Sequence, residues 1–121
     1  MATNSATKLR TESLTTLHWV GVALAVVTGV LHLYLGALFI TNPMGWSFIF
    51  AGVGFLGGVV AVLVDYRRRL LYLLGIPFTA GQIVAWYVVN APDFSALGYL
   101  DKVVQVALVV VLVVLYRRES A

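Results

Sequence analysis

The segment LTTLHWVGVALAVVTGVLHLYLGALFI, residues 14–40, decides the fold, because it is almost continuously apolar and carries no Asp, Glu, Lys or Arg. Its 27 residues exceed the roughly 20 that an α-helix needs to cross about 30 Å of hydrocarbon. A cleaved signal peptide is the competing interpretation, but its apolar region is typically only about 7–15 residues long. We therefore predict that this segment is a retained transmembrane helix.

The composition extends this conclusion to the whole chain of 121 residues, of which 61% are hydrophobic and 11% charged. An ordinary soluble domain has roughly 45–50% apolar and about 25% charged residues. So few charged side chains do not cover a soluble globule, which argues against a soluble enzyme and against a nucleic-acid partner. The absence of cysteine excludes disulfides, thiolate metal sites and cysteine nucleophiles. We predict a multi-pass protein of the cell membrane, with the lipid bilayer as its surroundings.

Turn and charged residues divide the rest of the chain into three more apolar segments. Pro43 lies in TNPMG at 41–45 and has no backbone donor for a helix interior, so we expect the chain to reverse there. The stretch DYRRR at 65–69 is too charged for lipid, and NAPD at 90–93 ends the third segment. The predicted membrane domain covers 14–116, with spans at about 14–40, 46–64, 70–89 and 101–116, and with polar cytoplasmic tails at 1–13 and 117–121.

Basic residues indicate the orientation of these spans. Four crossings place both termini and the connection between spans two and three on one side of the membrane. That side carries seven basic residues, against Lys102 alone on the other: Lys8, Arg10, Arg67, Arg68, Arg69, Arg117 and Arg118. Because basic residues accumulate in cytoplasmic loops, the predicted fold is an all-α integral membrane protein, a four-transmembrane-helix bundle with N-in and C-in topology.

Small residues spaced four apart indicate where the helices pack. Gly21, Ala25 and Gly29 form one stripe in span one, and Gly54 and Gly58 form a second in span two. Lipid tails are as apolar as leucine, so membrane helices associate through close packing at such positions. We expect these stripes to pack the helices of one chain against each other. The alternative is a homodimer or contact with another membrane protein through one stripe.

Few polar side chains lie within the predicted spans. His32, Gln82 and Gln105 fall at similar depths in the half of the membrane away from the termini, so together they form a candidate polar site. Asp101 and Lys102 are assigned to the membrane edge. The alternative is that each polar group only satisfies a neighbour, since polar side chains hold membrane helices together. No catalytic residues and no metal site are predicted.

The two histidines, His18 and His32, suggest a second kind of site. They are 14 residues apart in span one, which places them nearly on one helix face and about 21 Å apart along the axis. This separation is similar to that of the haem ligands in helical b-type cytochromes. The chain has no third histidine to supply the opposite ligands, so haem b would require a dimer. We expect no cofactor and keep the dimeric haem protein as an alternative.

Five motifs carry a resemblance to a known family. They are HWVG at 18–21, GVLHL at 29–33, GFLGG at 54–58, LGIPFTAGQ at 74–82 and DKVVQ at 101–105. With these motifs the chain resembles a family of small uncharacterised four-span membrane proteins of haloarchaea. The resemblance covers nearly the whole chain. Because the family is a domain of unknown function, it implies a fold and no activity.

Taken together, the residues favour a non-enzymatic membrane protein, a structural or accessory component that acts through helix contacts. Two alternatives stay open. The first is small-ligand or ion binding or transport at the polar site formed by His32, Gln82 and Gln105. The second is electron transfer by a haem dimer held at His18 and His32.

Overall fold

A computed structural model describes residues 13–120 of the chain, apart from the side chain of residue 120. It contains four α-helices: α1 Thr16–Leu38, α2 Pro43–Leu63, α3 Arg68–Asn90 and α4 Ala96–Ser120. Each is long and apolar enough to cross a membrane. The predicted all-helical fold with four such helices is thereby confirmed. The predicted tail at 1–13 lies outside the described residues except for Ser13.

The first connection is shorter than the sequence predicted. Pro43 is the first residue of α2 rather than part of a loop, because a proline costs nothing at a position whose N–H has no helical partner. The side chain of Asn42 caps this end, and its Oδ1 accepts a hydrogen bond of 2.8 Å from the backbone N–H of Met44. The second connection is equally tight, and α3 follows Arg67, whose φ of 48° is left-handed.

The fourth helix is longer than the predicted span at 101–116. It begins at Ala96, and the Oγ of Ser95 accepts a hydrogen bond of 3.0 Å from the backbone N–H of Gly98. Asp101 and Lys102 therefore lie inside the helix, about one and a half turns from its start. At its other end α4 continues through the predicted tail to Ser120.

The helices form a ring in which α1 packs against α2 and α4, and α3 packs against α4; the contact between α2 and α3 is the least extensive. One end of the ring, here called the basic end, joins Ser13, the turn at 65–69 and the last turns of α4. There Arg68 Nη1 donates to Ser13 Oγ at 2.6 Å, and Arg69 Nη2 donates to the Tyr116 hydroxyl at 3.0 Å. The opposite end, with the other two connections, is called the far end.

Glycines allow α1 and α2 to approach each other closely. A Cβ atom at Gly52 of α2 would lie 2.8 Å from the backbone oxygen of Gly29 and 2.8 Å from the side chain of Leu33. Backbone atoms do not move aside as flexible side chains do, so this contact requires a residue without a side chain at position 52. The α1–α2 interface is therefore built on direct backbone approach.

Candidate functional site

Six polar side chains from three helices form one hydrogen-bonded group near the far end, here called the polar cluster. It comprises Thr28 and His32 of α1, Gln82 of α3, and Asp101, Lys102 and Gln105 of α4. All are buried except Gln82, which is partly buried. Burying this many polar groups in an apolar bundle is costly unless they satisfy one another. Their mutual hydrogen bonds supply that compensation.

The hydroxyl of Thr28 is the centre of the cluster. Its Oγ1 donates to Asp101 Oδ1 at 2.6 Å and accepts from Gln105 Nε2 at 3.2 Å. Thr28 is completely buried. Residues four apart share a helix face, so Asp101 and Gln105 meet Thr28 together. One hydroxyl thereby connects α1 to two successive turns of α4.

Asp101 and Lys102 form a buried ion pair beside this hydroxyl. Lys102 Nζ donates to Asp101 Oδ2 at 2.6 Å, and the two residues are 9% and 5% exposed. The ammonium group also lies 5.9 Å from the ring centroid of Trp86, within the range of a cation–π contact. Both carboxylate oxygens of Asp101 are therefore paired, one with a hydroxyl and one with a cation.

His32 packs beside this carboxylate, and its Nδ1 is held as a hydrogen-bond donor. Its Nδ1 lies 2.7 Å from the backbone oxygen of Thr28. A carbonyl oxygen only accepts, so Nδ1 carries the proton and donates. In the neutral ring Nε2 is then an unprotonated acceptor, and it lies 3.9 Å from Asp101 Oδ2. The ring is held in place by Phe48 and Phe55 of α2, with centroid distances of 5.8 and 5.9 Å.

Two glutamines extend the cluster to α3. Gln105 Nε2 donates to Gln82 Oε1 at 3.1 Å, and Gln82 Nε2 donates to the backbone oxygen of Phe78 at 3.0 Å. Gln105 is completely buried, and its Oε1 has no hydrogen-bond partner. The cluster therefore connects α1, α3 and α4.

A cavity of about 300 Å³ lies between the polar cluster and the basic end, here called the apolar cavity. Residues from all four helices line it, and almost all of them are apolar. The polar exceptions are His18, Tyr72 and Thr79. None of the six residues of the polar cluster lines this cavity. The bundle thus contains two separate features, a closed polar cluster and an apolar space.

Comparison with known proteins assigns the chain to a family. Residues 3–116 match the Family of unknown function (DUF7475), which is most of the 121 residues. The chain belongs to this family. No curated protein and no solved structure matches it. The expectation of an uncharacterised family is confirmed, and membership of DUF7475 implies no activity.

The structure brings the three predicted polar-site residues of this DUF7475 chain into one cluster. Gln82 and Gln105 are directly bonded, and His32 joins them through Thr28. Thr28 and the Asp101–Lys102 ion pair were not among the residues predicted for this site. The available signal was spacing, because Thr28 and His32 are four apart, as are Asp101 and Gln105. Within residues 13–120, no group of three or more His, Asp or Glu side chains is arranged to hold a metal ion.

The predicted small-residue stripes face different neighbours. A Cβ at Gly21 would lie 3.1 Å from Val111 of α4, one at Gly29 would lie 3.1 Å from Leu56 of α2, and one at Gly54 would lie 2.8 Å from Phe78 of α3. Gly21 and Gly54 also line the apolar cavity, together with Ala25 and Gly58, and a Cβ at Gly58 would meet no atom within 4 Å. The stripes therefore border both helix contacts and the cavity.

Both histidines of the haem alternative lie inside the bundle. His18 is 8% exposed and His32 is 5% exposed. His18 Nδ1 accepts from the backbone N–H of Thr15 at 3.1 Å, and its ring centroid lies 6.2 Å from that of Tyr72. A haem shared by two copies of the chain would require both rings to leave these contacts for the bundle surface. The haem dimer stays a prediction, which an absorption spectrum of the purified protein decides.

Proposed function

We propose that this protein is a multi-pass membrane protein that binds a proton at the polar cluster, and that His32 is the proton acceptor. One observation carries the proposal. The bond from His32 Nδ1 to the Thr28 carbonyl leaves Nε2 as a bare acceptor, 3.9 Å from Asp101 Oδ2. Two acceptors that face each other are a poor arrangement for a purely structural contact. A proton on Nε2 turns the same pair into a cation beside a carboxylate.

The surroundings of His32 favour this use. Asp101 of α4 lies 3.9 Å from its Nε2, and Lys102 is paired with the same carboxylate oxygen at 2.6 Å, while the rings of Phe48 and Phe55 of α2 pack against the imidazole. The carboxylate attracts the added charge and the nearby ammonium opposes it. Charge interactions are stronger in a buried, low-dielectric site than in water. Proton binding would therefore change how the carboxylate oxygens of Asp101 share their contacts among Lys102, Thr28 and His32.

A change of this kind alters the contact between helices. Asp101 of α4 already accepts a hydrogen bond from the hydroxyl of Thr28 in α1. A second hydrogen bond, from protonated His32 of α1 to Asp101 Oδ2, would draw the two helices together. A neighbouring membrane protein that contacts the α1–α4 face would then bind differently to the protonated and unprotonated forms. The protein would in this way act through helix contacts.

A purely structural role is the second candidate. It is favoured by the number of side-chain hydrogen bonds in the cluster, which join three helices directly. Polar side chains hold membrane helices together with about 1 kcal/mol per contact. On this account His32 keeps its charge state at every pH at which the bundle stays folded.

Proton uptake separates these two candidates. The purified protein in lipid nanodiscs is brought from about pH 8 to about pH 5, the range in which histidine changes charge, and a pH indicator counts the protons taken up. We expect the unaltered protein to take up about one proton more per chain than the His32→Gln variant. His18 is present in both samples, so the difference belongs to His32. Equal uptake by the two proteins would exclude His32 as the acceptor.

We further propose that the basic end faces the cytoplasm of the cell membrane, which places the polar cluster in the outer half of the bilayer. Seven basic residues against one support this orientation. A reporter that works only in the cytoplasm should be active when fused after residue 121. A reporter that works only outside the cell should be active when inserted at 91–95. An external signal from the C-terminal fusion would reverse the orientation or change the number of crossings.

A further inference from the structure

Two exposed arginines at the basic end are held by tyrosine rings. The guanidinium of Arg69 lies 4.4 Å from the ring centroid of Tyr116 and also donates to its hydroxyl. The guanidinium of Arg67 lies 5.5 Å from the ring centroid of Tyr66. Both distances are within the range of a cation–π contact, which orients a guanidinium without removing its charge. The start of α3 therefore presents two oriented positive charges at the surface.

The carboxylates at this end are engaged elsewhere. Asp65 Oδ1 lies 3.4 Å from Nε of Arg68, and Glu119 Oε1 lies 4.0 Å from His18 Nε2. Within residues 13–120, no carboxylate forms an ion pair with either of the two tyrosine-bound arginines. A guanidinium binds phosphate through paired N–H donors. These two side chains are thus available to an anion from outside the chain.

An exposed apolar stripe, here called the α3 stripe, runs along α3 from Arg69 towards the far end. Its residues are three or four positions apart and so share one side of the helix: Leu73, Pro77, Gly81, Val84 and Val88, all exposed. A Cβ at Gly81 would meet no atom within 4 Å, so no other helix covers this side there. At 1.5 Å per residue the stripe is about 22 Å long, more than half of the hydrocarbon thickness of about 30 Å.

The combination of charge and stripe selects one kind of ligand. Free phosphate would use the arginines and leave the stripe unused. A zwitterionic lipid would bring its own cationic group towards the arginines, whereas an anionic lipid would not. Among the described residues of the far end the one basic side chain is Lys102, which is buried with Asp101, so this combination of exposed arginine and apolar stripe belongs to the basic end.

We propose that the start of α3 binds an anionic phospholipid. Its phosphate accepts hydrogen bonds from Arg69 and Arg67, and its acyl chain lies along the α3 stripe. Basic groups of this kind at the ends of membrane helices attract anionic lipid headgroups. The surface is separate from the polar cluster, so this binding does not depend on proton binding at His32.

A matched pair of lipids tests the headgroup. Phosphatidylglycerol is anionic and phosphatidylcholine is zwitterionic, and both are supplied with identical acyl chains in equal amounts in detergent micelles. Native mass spectrometry then counts the lipids that stay on the released protein. We expect phosphatidylglycerol to be retained at least about fivefold more often, the factor that corresponds to about 1 kcal/mol for one basic side chain near anionic lipid. Inorganic phosphate added at the lipid concentration should not displace it. Equal retention of the two lipids, or displacement by inorganic phosphate, would overturn the proposal.

Two arginine variants test the location. Arg69→Gln and Arg118→Gln make the same change of charge at the same end, but Arg118 lies on α4 beside a polar space that His18 and Glu119 also line. We expect Arg69→Gln to lower the retention of phosphatidylglycerol about fivefold and Arg118→Gln to leave it nearly unchanged. Both side chains are exposed, so neither change should unfold the bundle. Equal loss in the two variants would mean that only net charge matters; that result, or unchanged retention in Arg69→Gln, would contradict the site.

Discussion

Replacing Asp101 with asparagine is expected to destabilise the folded bundle by about 3–5 kcal/mol, the usual cost of removing one member of a buried ion pair. Lys102 Nζ has Asp101 Oδ2 as its carboxylate at 2.6 Å and is almost completely buried. Asparagine keeps the size of the side chain but leaves the ammonium charge without a counter-ion. Equilibrium unfolding in detergent micelles measures the loss.

Two further variants make this result specific. Asp93→Asn changes an exposed carboxylate in the connection between α3 and α4 and should alter the free energy of unfolding by less than about 0.5 kcal/mol. The double variant Asp101→Asn with Lys102→Met removes both charges and should be more stable than Asp101→Asn alone. If the single variant is as stable as the unaltered protein, the ion pair is not buried as described.

Replacing Gly52 with leucine should have an effect of similar size, a loss of more than about 3 kcal/mol. Its Cβ would lie 2.8 Å from the backbone oxygen of Gly29, so α1 and α2 would have to separate along their interface. Gly57→Leu is the matched control, because the same helix has open space at that position. The same unfolding measurement compares them. Equal stabilities would mean that α1 and α2 do not approach through Gly52.

Hydropathy predicts most of this fold, because crossing a membrane requires long apolar helices and little else. The exception is the beginning of α4. Asp101 and Lys102 suggested a membrane boundary, since charged residues are costly in lipid. The structure places them within the helix, where they neutralise each other at 2.6 Å. The sequence alone does not show whether two adjacent opposite charges form a buried ion pair or are both hydrated.

The polar site was partly predictable for a similar reason. Depth along a helix follows from residue counting, which is how His32, Gln82 and Gln105 were assigned to one level. Rotation of one helix relative to the next does not follow from counting. That rotation places Thr28 against Asp101, and it places Gly54 against Phe78 while Gly58 has open space beside it. The partners of a polar residue therefore depend on packing that the sequence does not display.

The two histidines illustrate how local bonds determine chemistry. His32 donates from Nδ1 to a backbone carbonyl, whereas His18 accepts at Nδ1 from a backbone N–H. The neutral rings are therefore opposite tautomers, with the free nitrogen an acceptor in His32 and a donor in His18. This contrast is why we propose His32, and not His18, as the proton acceptor of the polar cluster.

Nitrogen NMR of isotope-labelled histidine in bilayers tests the central claim most directly, because the chain has only two histidines and the spectrum reports which ring nitrogens carry protons. The sample carries no histidine tag, and His32→Gln assigns the signals. At about pH 8 we predict His32 protonated on Nδ1 alone and His18 on Nε2 alone; towards about pH 5 His32 gains a second proton on Nε2. A His32 ring protonated on Nε2 alone at high pH, or one that stays neutral throughout while the bundle remains folded, would contradict proton binding at the polar cluster.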